Sequence, residues 1–171
     1  GITAKDSANY NELENDKIIQ QYLVGTDKDY LTLFDKGWKD AFITLGGIGN
    51  PIGRIRIKEN LTKIGFNIPV ISDRTANISQ LSGVGTGTFI GKNAVINAGC
   101  SIGECSIINT GAIIEHDCSI GAFCHISPGA IICGNVSIGN NTHIGAGTVI
   151  RQGIVIGKNV LIGAGSIVVK D

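Results

Sequence analysis

The sequence predicts a chain in two parts, a small α/β layer followed by an all-β parallel solenoid of hexapeptide repeats. Three observations predict this. Every sixth residue from Ile78 to Val168 is aliphatic, without interruption. Four residues after each stands a second small or aliphatic residue, among them Ala94, Cys100, Ala112, Cys118 and Cys124. Before residue 78 that beat is absent, and strand-like stretches alternate with helix-like ones. A period of six fits neither a 3.6-residue helix nor a flat two-sided strand. It fits a strand path that turns a corner every six residues, three hexapeptides closing one triangular coil of about 18 residues.

Taken in order, residues 1–16 are polar and start abruptly, with no strand before them, and plain loop explains residues 1–21 at least as well as any function does. A strand is predicted at Tyr22–Val24, a helix across Asp27–Phe34 and a strand at Ala41–Leu45. The turn Gly46-Gly47-Ile48-Gly49-Asn50 then opens a helix from about Pro51 to Ile64, with Pro51 suited to a first turn. A last short strand is predicted at Pro69–Ile71. This alternation reads as a small, incomplete Rossmann-like parallel sheet, with residues 1–75 as one domain and 76–171 as the other.

In the solenoid, glycine recurs one place after the aliphatic position, as at Gly85, Gly91, Gly103 and Gly121. A corner with positive φ would explain this, and Asn97 and Asn109 would tolerate the same conformation. Residues 78–171 make roughly five coils, a prism about 25 Å long at the spacing of stacked strands. Its flat outer faces carry Phe89, Ile113, Phe123 and Val149. Three prisms side by side would cover such apolar faces, so a homotrimer is expected.

Formal net charge is zero, from 14 basic and 14 acidic residues, which gives no electrostatic reason to expect nucleic acid or a membrane surface as partner. No apolar run approaches a membrane span. Five cysteines, an odd number, without a secretory signal point to a reducing cytoplasm. Cys100, Cys118 and Cys124 fall on the small inward position and read as compact fillers.

All three histidines lie in the solenoid. His116 falls on a corner and Asp117 follows it directly. Imidazole exchanges a proton near neutral pH, and an adjacent carboxylate can orient it as a base. From spacing alone, an ordinary surface residue is the plainer reading of His116. His125 and His143 are 18 residues apart, hence stacked on successive coils, which reads as a surface ladder. Within one chain His116 is half a coil from His125, so no single-chain metal site is expected. The Gly46–Asn50 turn could hold a phosphate at the helix start, and a plain strand-to-helix turn explains it equally well.

The run from Ile108 to Cys118, with Asn109-Thr110 and Glu115-His116-Asp117-Cys118, continued by Phe123-Cys124-His125, carries a resemblance. It resembles the sugar acetyltransferases of the left-handed β-helix superfamily, nearest the sialic acid O-acetyltransferase and bacillosamine-pathway N-acetyltransferase branch. The resemblance implies an acetyl-CoA-dependent transfer to a sugar amine or hydroxyl, with no metal. It implies His116 as general base with Asp117 as its acidic neighbour. It implies His125, Ala146 and Ala164 along acetyl-CoA, and Asn109, Gly49 and Asn50 at the acceptor, a UDP-linked 4-amino sugar. Sialic acid O-acetylation is the runner-up; a non-catalytic trimeric solenoid and a zinc lyase are readings from other classes. Two marks of that branch are not found: an opening Gly-Gly-His turn, where this chain reads Gly1-Ile2-Thr3, and a closing Asn-Pro-Ala segment.

Overall fold

The structure, a computed structural model, describes residues 2–4 and 23–171. The chain divides into two compact units, one of residues 1–41 and 60–67, the other of residues 42–59 and 68–171.

In the first unit, β1 (Ile2–Ala4) pairs in parallel with β2 (Leu23–Thr26). The loop expected over residues 1–21 therefore contains a strand, whose three residues are too short a run for sequence periodicity to reveal. Tyr22 and residues 5–21 lie outside the described residues. A 3₁₀ turn, Asp27–Asp29, leads into α1 (Tyr30–Asp35). A capping box sets that start, with the Thr26 and Asp29 side chains each bonding the other's end of the turn. No strand forms over Ala41–Leu45; the nearest pairing is an isolated parallel bridge between Asp40 and Asn67. The helix α2 (Ile52–Ile64), of which residues 52–59 belong to the second unit and 60–64 to the first, forms as expected, with Asn50 Oδ1 accepting from Ile52 N at 3.1 Å.

In the second unit, two-residue strands from β3 (Ile71–Ser72) to β19 (Ile167–Val168) wind into three parallel sheets of six, five and six strands. The pairing register is 18 residues throughout, as between Ile113 and Ile131. The strand expected at Pro69–Ile71 to complete the α/β layer belongs to the solenoid instead, Ile71 pairing with Phe89. The aliphatic beat begins at Ile78, so it misses the coil already under way at Ile71.

Each sheet turns its second residue inward, giving the buried isoleucine rows through Ile90, Ile96, Ile102 and their successors. The small inward residues do more than fill space. Thr88, Ser106, Thr142 and Thr148 each donate a hydroxyl to a carbonyl 15 residues on, at 2.8–3.0 Å. Cys118 and Cys124 do the same with their thiols, toward Cys133 O and Gly139 O. Burial raises the Cys118 thiol to about 11. These cysteines are packing groups and weak donors, not nucleophiles.

The glycines require a correction. Positive φ falls on the third residue of each corner, at every sixth position from Gly87 to Gly165, and not on the residue after the aliphatic one. Asn97 and Asn109 are therefore not left-handed, whereas Asn93, Cys105, Asp117 and Phe123 are. Gly85, Gly103, Gly121 and Gly139 serve close approach. A Cβ at Gly103 would stand 2.4 Å from Ala122 N of the next coil. Phe123 sits on such a corner, not on a flat face, with φ of 54°.

The three outer faces differ. One shows Val95, Ile113, Ile131 and Val149 in register, and is aliphatic. The second shows Ser101, Ser119 and Ser137. The third stacks Ile71, Phe89, Ile107, His125, His143 and Leu161. Segment 42–59 of the same unit lies on this third face: Phe42 packs on Phe89 with ring centroids 6.4 Å apart, and Lys58 pairs with Glu104 at 3.1 Å.

Candidate active site

His116 and Asp117 form the corner between the aliphatic and serine faces. Asp117 has φ of 59°, a conformation open to Asp and Asn more than to most side chains. That backbone turn brings Oδ2 to 2.8 Å from His116 Nδ1. A carboxylate only accepts, so Nδ1 carries the proton and donates it, and Nε2 presents its lone pair. Both side chains are exposed, at 56% and 66%. The pair is packed between coils. A Cβ at Gly99 of the preceding coil would meet Asp117 Oδ1, and one at Gly134 of the following coil would stand 2.6 Å from His116 Nε2. Beside them, Asn97 donates to Glu115 Oε2 at 2.9 Å.

His125 is half-buried on the third face, and both its ring nitrogens are partnered. Nδ1–H donates to Gly47 O at 3.2 Å, which leaves Nε2 to accept from the Asn109 amide at 3.2 Å. Burial lowers its pKa, partly offset by the bond to Gly47 and reinforced by nearby Arg54. His143 stacks edge-on against it, centroids 4.9 Å apart, and is only 8% exposed. Its Nε2 lies 3.4 Å from Ser127 Oγ, and burial followed by repulsion from His125 lowers its pKa. The expected surface ladder is thus an internal one, because segment 42–59 covers it.

Arg54, 4% exposed, fixes that cover. It donates to the carbonyls of Ile43, Leu45 and Cys105, reaching Cys105 O at 2.9 Å. Gly49, Asn50, Arg54, His125, Asn141 and His143 line one pocket. The structure therefore brings together Gly49, Asn50, Asn109 and His125 among the residues singled out in the sequence. Ala146 and Ala164 are exposed and stand on the same edge as the corner that begins at Asn109, two and three coils further on, joined by Gly165 N to Ala146 O at 2.8 Å. His116 and Asp117 stand at the opposite edge of the aliphatic face from both groups, not beside them. Arg54 and Gly134 escaped the sequence reading. Arg54 looks like any helix cation, and a glycine's neighbour 18 residues away emerges only once the register is known.

Among the described residues, no group of three or more His, Cys, Asp or Glu could hold a metal ion, and no helix is long and apolar enough to cross a membrane.

The bacterial transferase hexapeptide (six repeats) family matches residues 117–152 and 135–170. No curated protein sequence matches the chain at a significant level. Among solved structures, the chain is similar to a variant of perosamine N-acetyltransferase from Caulobacter crescentus in complex with CoA and GDP-perosamine. Identity is 32% over 87% of this chain and 70% of that one, with a TM-score of 0.83. It is similar to the acetyltransferase domain of PglB from Neisseria gonorrhoeae in complex with acetyl coenzyme A, 36% identical over 87% and 71% of the two chains, TM-score 0.82. WeeI from Acinetobacter baumannii shares the fold at 19% identity, over 96% and 94%, TM-score 0.64.

Proposed function

This chain belongs to the hexapeptide-repeat sugar acetyltransferases of the left-handed β-helix superfamily, and on that premise we propose that it moves the acetyl group of acetyl-CoA to the amine of a nucleotide-linked amino sugar. The observation that carries the reading is the His116–Asp117 pair, whose 2.8 Å bond leaves Nε2 as an exposed base. A similar enzyme holds CoA and GDP-perosamine, an amino-sugar nucleotide, in its crystal structure.

In this mechanism the acceptor nitrogen attacks the thioester carbonyl directly, and no acyl-enzyme forms. Nε2 of His116 takes the amine proton as the C–N bond forms, and Asp117 stabilises the imidazolium. Collapse of the tetrahedral intermediate breaks the C–S bond, and the imidazolium returns the proton to the departing sulfur. General base catalysis of this kind contributes about 10² to 10⁴ in rate. Holding both substrates in one groove supplies much of the rest.

The groove lies between copies. The aliphatic face is flanked by the His116 corner on one edge and the Asn109, Ala146 and Ala164 corner on the other. A threefold arrangement with that face toward the axis sets one copy's His116 against the next copy's Asn109 and His125, because rings are built from unlike edges. Ala146 and Ala164, flanked by glycines, leave an open backbone edge for the pantetheine of CoA. Gly49 and Asn50 stand at the acceptor end, held by the Gly47–His125 bond.

The test is release of free thiol from acetyl-CoA with UDP- and GDP-linked amino sugars and with sialic acids. Turnover with the amino-sugar nucleotides is expected, UDP-linked 4-amino sugars first. The GDP-perosamine in the similar enzyme makes a guanosine handle the specific second reading. Turnover with sialic acid alone would establish O-acetylation instead. Absence of acetyl-CoA binding by calorimetry would leave a non-catalytic solenoid.

A further inference from the structure

We infer that Gly134 is a positioning residue for the proposed general base, holding the His116 ring in place by leaving it room; the inference rests on the reading of His116 as that base. The ring of His116 lies directly over Gly134 of the next coil. A Cβ there would stand 2.6 Å from Nε2, 2.7 Å from Cε1 and 3.1 Å from Cδ2. Nε2 is the atom that takes the proton, so this contact lies at the reacting end of the ring.

The absence of a side chain here has no backbone cause. Gly134 lacks the left-handed φ that marks Gly99, Gly129 and Gly153. It also differs from Gly103 and Gly121, where a Cβ would strike main-chain atoms of the next coil. The three atoms nearest a Cβ at Gly134 all belong to the ring of one exposed side chain. Such a side chain can swing away at little cost to the fold. Substitution should therefore disturb the ring and leave the coil intact. Regaining ordinary contact at 3.4 Å or beyond moves the ring by the better part of an ångström. The Nδ1 bond to Asp117 resists that motion, so either the bond lengthens or Nε2 is re-aimed.

Gly134→Ala, His116→Ala and the double variant test this in the full chain, by thiol release with acetyl-CoA and a nucleotide-linked amino sugar. Gly134→Ala should lower kcat about 10- to 100-fold, the scale of an ångström's misplacement. KM for acetyl-CoA and the melting temperature should hold. On the His116→Ala background it should cost nothing further. Wild-type kcat in Gly134→Ala, or an equal loss on the His116→Ala background, overturns the inference. Titration of the His116 Cε1–H resonance reads the ring without turnover. A midpoint displaced by Gly134→Ala supports the inference and an unchanged one overturns it. Wild-type turnover in His116→Ala would instead sink the base assignment, and the resonance would still report whether Gly134 sets the ring.

Discussion

At His116 the proposed chemistry depends on which nitrogen holds the proton, and that is decided by its neighbour in sequence. Asp117 reaches Nδ1 only because its own φ is 59°, which swings the carboxylate back over the preceding side chain. His116→Ala should reduce kcat by about 10² to 10⁴ with acetyl-CoA affinity unchanged, since it removes only the proton acceptor. Calorimetry beside steady-state turnover checks this; a matching loss of acetyl-CoA affinity would make the residue a binding group. Asp117→Asn keeps the ring and alters what holds it, so a smaller loss, about tenfold to a hundredfold, is expected. The His-Asp dipeptide was legible in the sequence as a motif. Its geometry was not, because hexapeptide spacing fixes the corner but not the left-handed third residue. His125 shows the same limit from the other side. Its stacking on His143 follows from a separation of 18, while its bond to Gly47, 78 residues earlier, follows from no local pattern.

The coils were legible because their isoleucines repeat at a period no other element shares, and the cause of the glycine repeat was not. Sequence alone favours backbone conformation as the reason for Gly103, yet a Cβ there would collide with the main chain at Ala122. Gly111, by contrast, has φ of 64° and nothing within 4 Å. Gly103→Ala should therefore destabilise the solenoid by about 1–3 kcal/mol or more, as overpacking against rigid atoms does. Gly111→Ala should cost about 1–2 kcal/mol from conformation alone. Denaturant unfolding of the two variants ranks them, and the opposite order would return the glycine repeat to a backbone explanation. The covered face adds a pH dependence. His125 and His143 have folded pKa values below their unfolded value of about 6.5, burial being the main cause in both. Above that value both states are neutral at these rings and stability is full. As pH falls through it, the unfolded chain gains protons that the folded chain refuses, so stability declines until the lower folded values are passed. Melting temperature between pH 8 and 5 should fall with acid, and His143→Phe should flatten part of the slope.

Across the whole molecule, the residues of the proposed mechanism lie at two edges of one aliphatic face, and a single chain does not bring those edges together. On that proposal the trimer is part of the active site, and its consequence is measurable. Ile131 stands mid-face, in register between Ile113 and Val149, and neither inward packing nor segment 42–59 accounts for its aliphatic character. Ile131→Asp should dissociate the assembly in light scattering, keep the β-rich circular dichroism spectrum and abolish turnover. A trimer that survives this change would place the interface elsewhere. Complementation is the sharper test. His116→Ala spoils one edge of the face and Asn109→Ala the other, so each homotrimer contains three damaged sites. In trimers formed by exchange from an equal mixture, a site is whole only where a subunit with intact His116 meets a neighbour with intact Asn109. Random assembly makes that roughly a quarter of the interfaces. Mixed and exchanged, two inactive preparations should recover about that share of wild-type activity. Recovery requires the two edges to work from different chains; if both served within one chain, the mixture would stay as inactive as its parts.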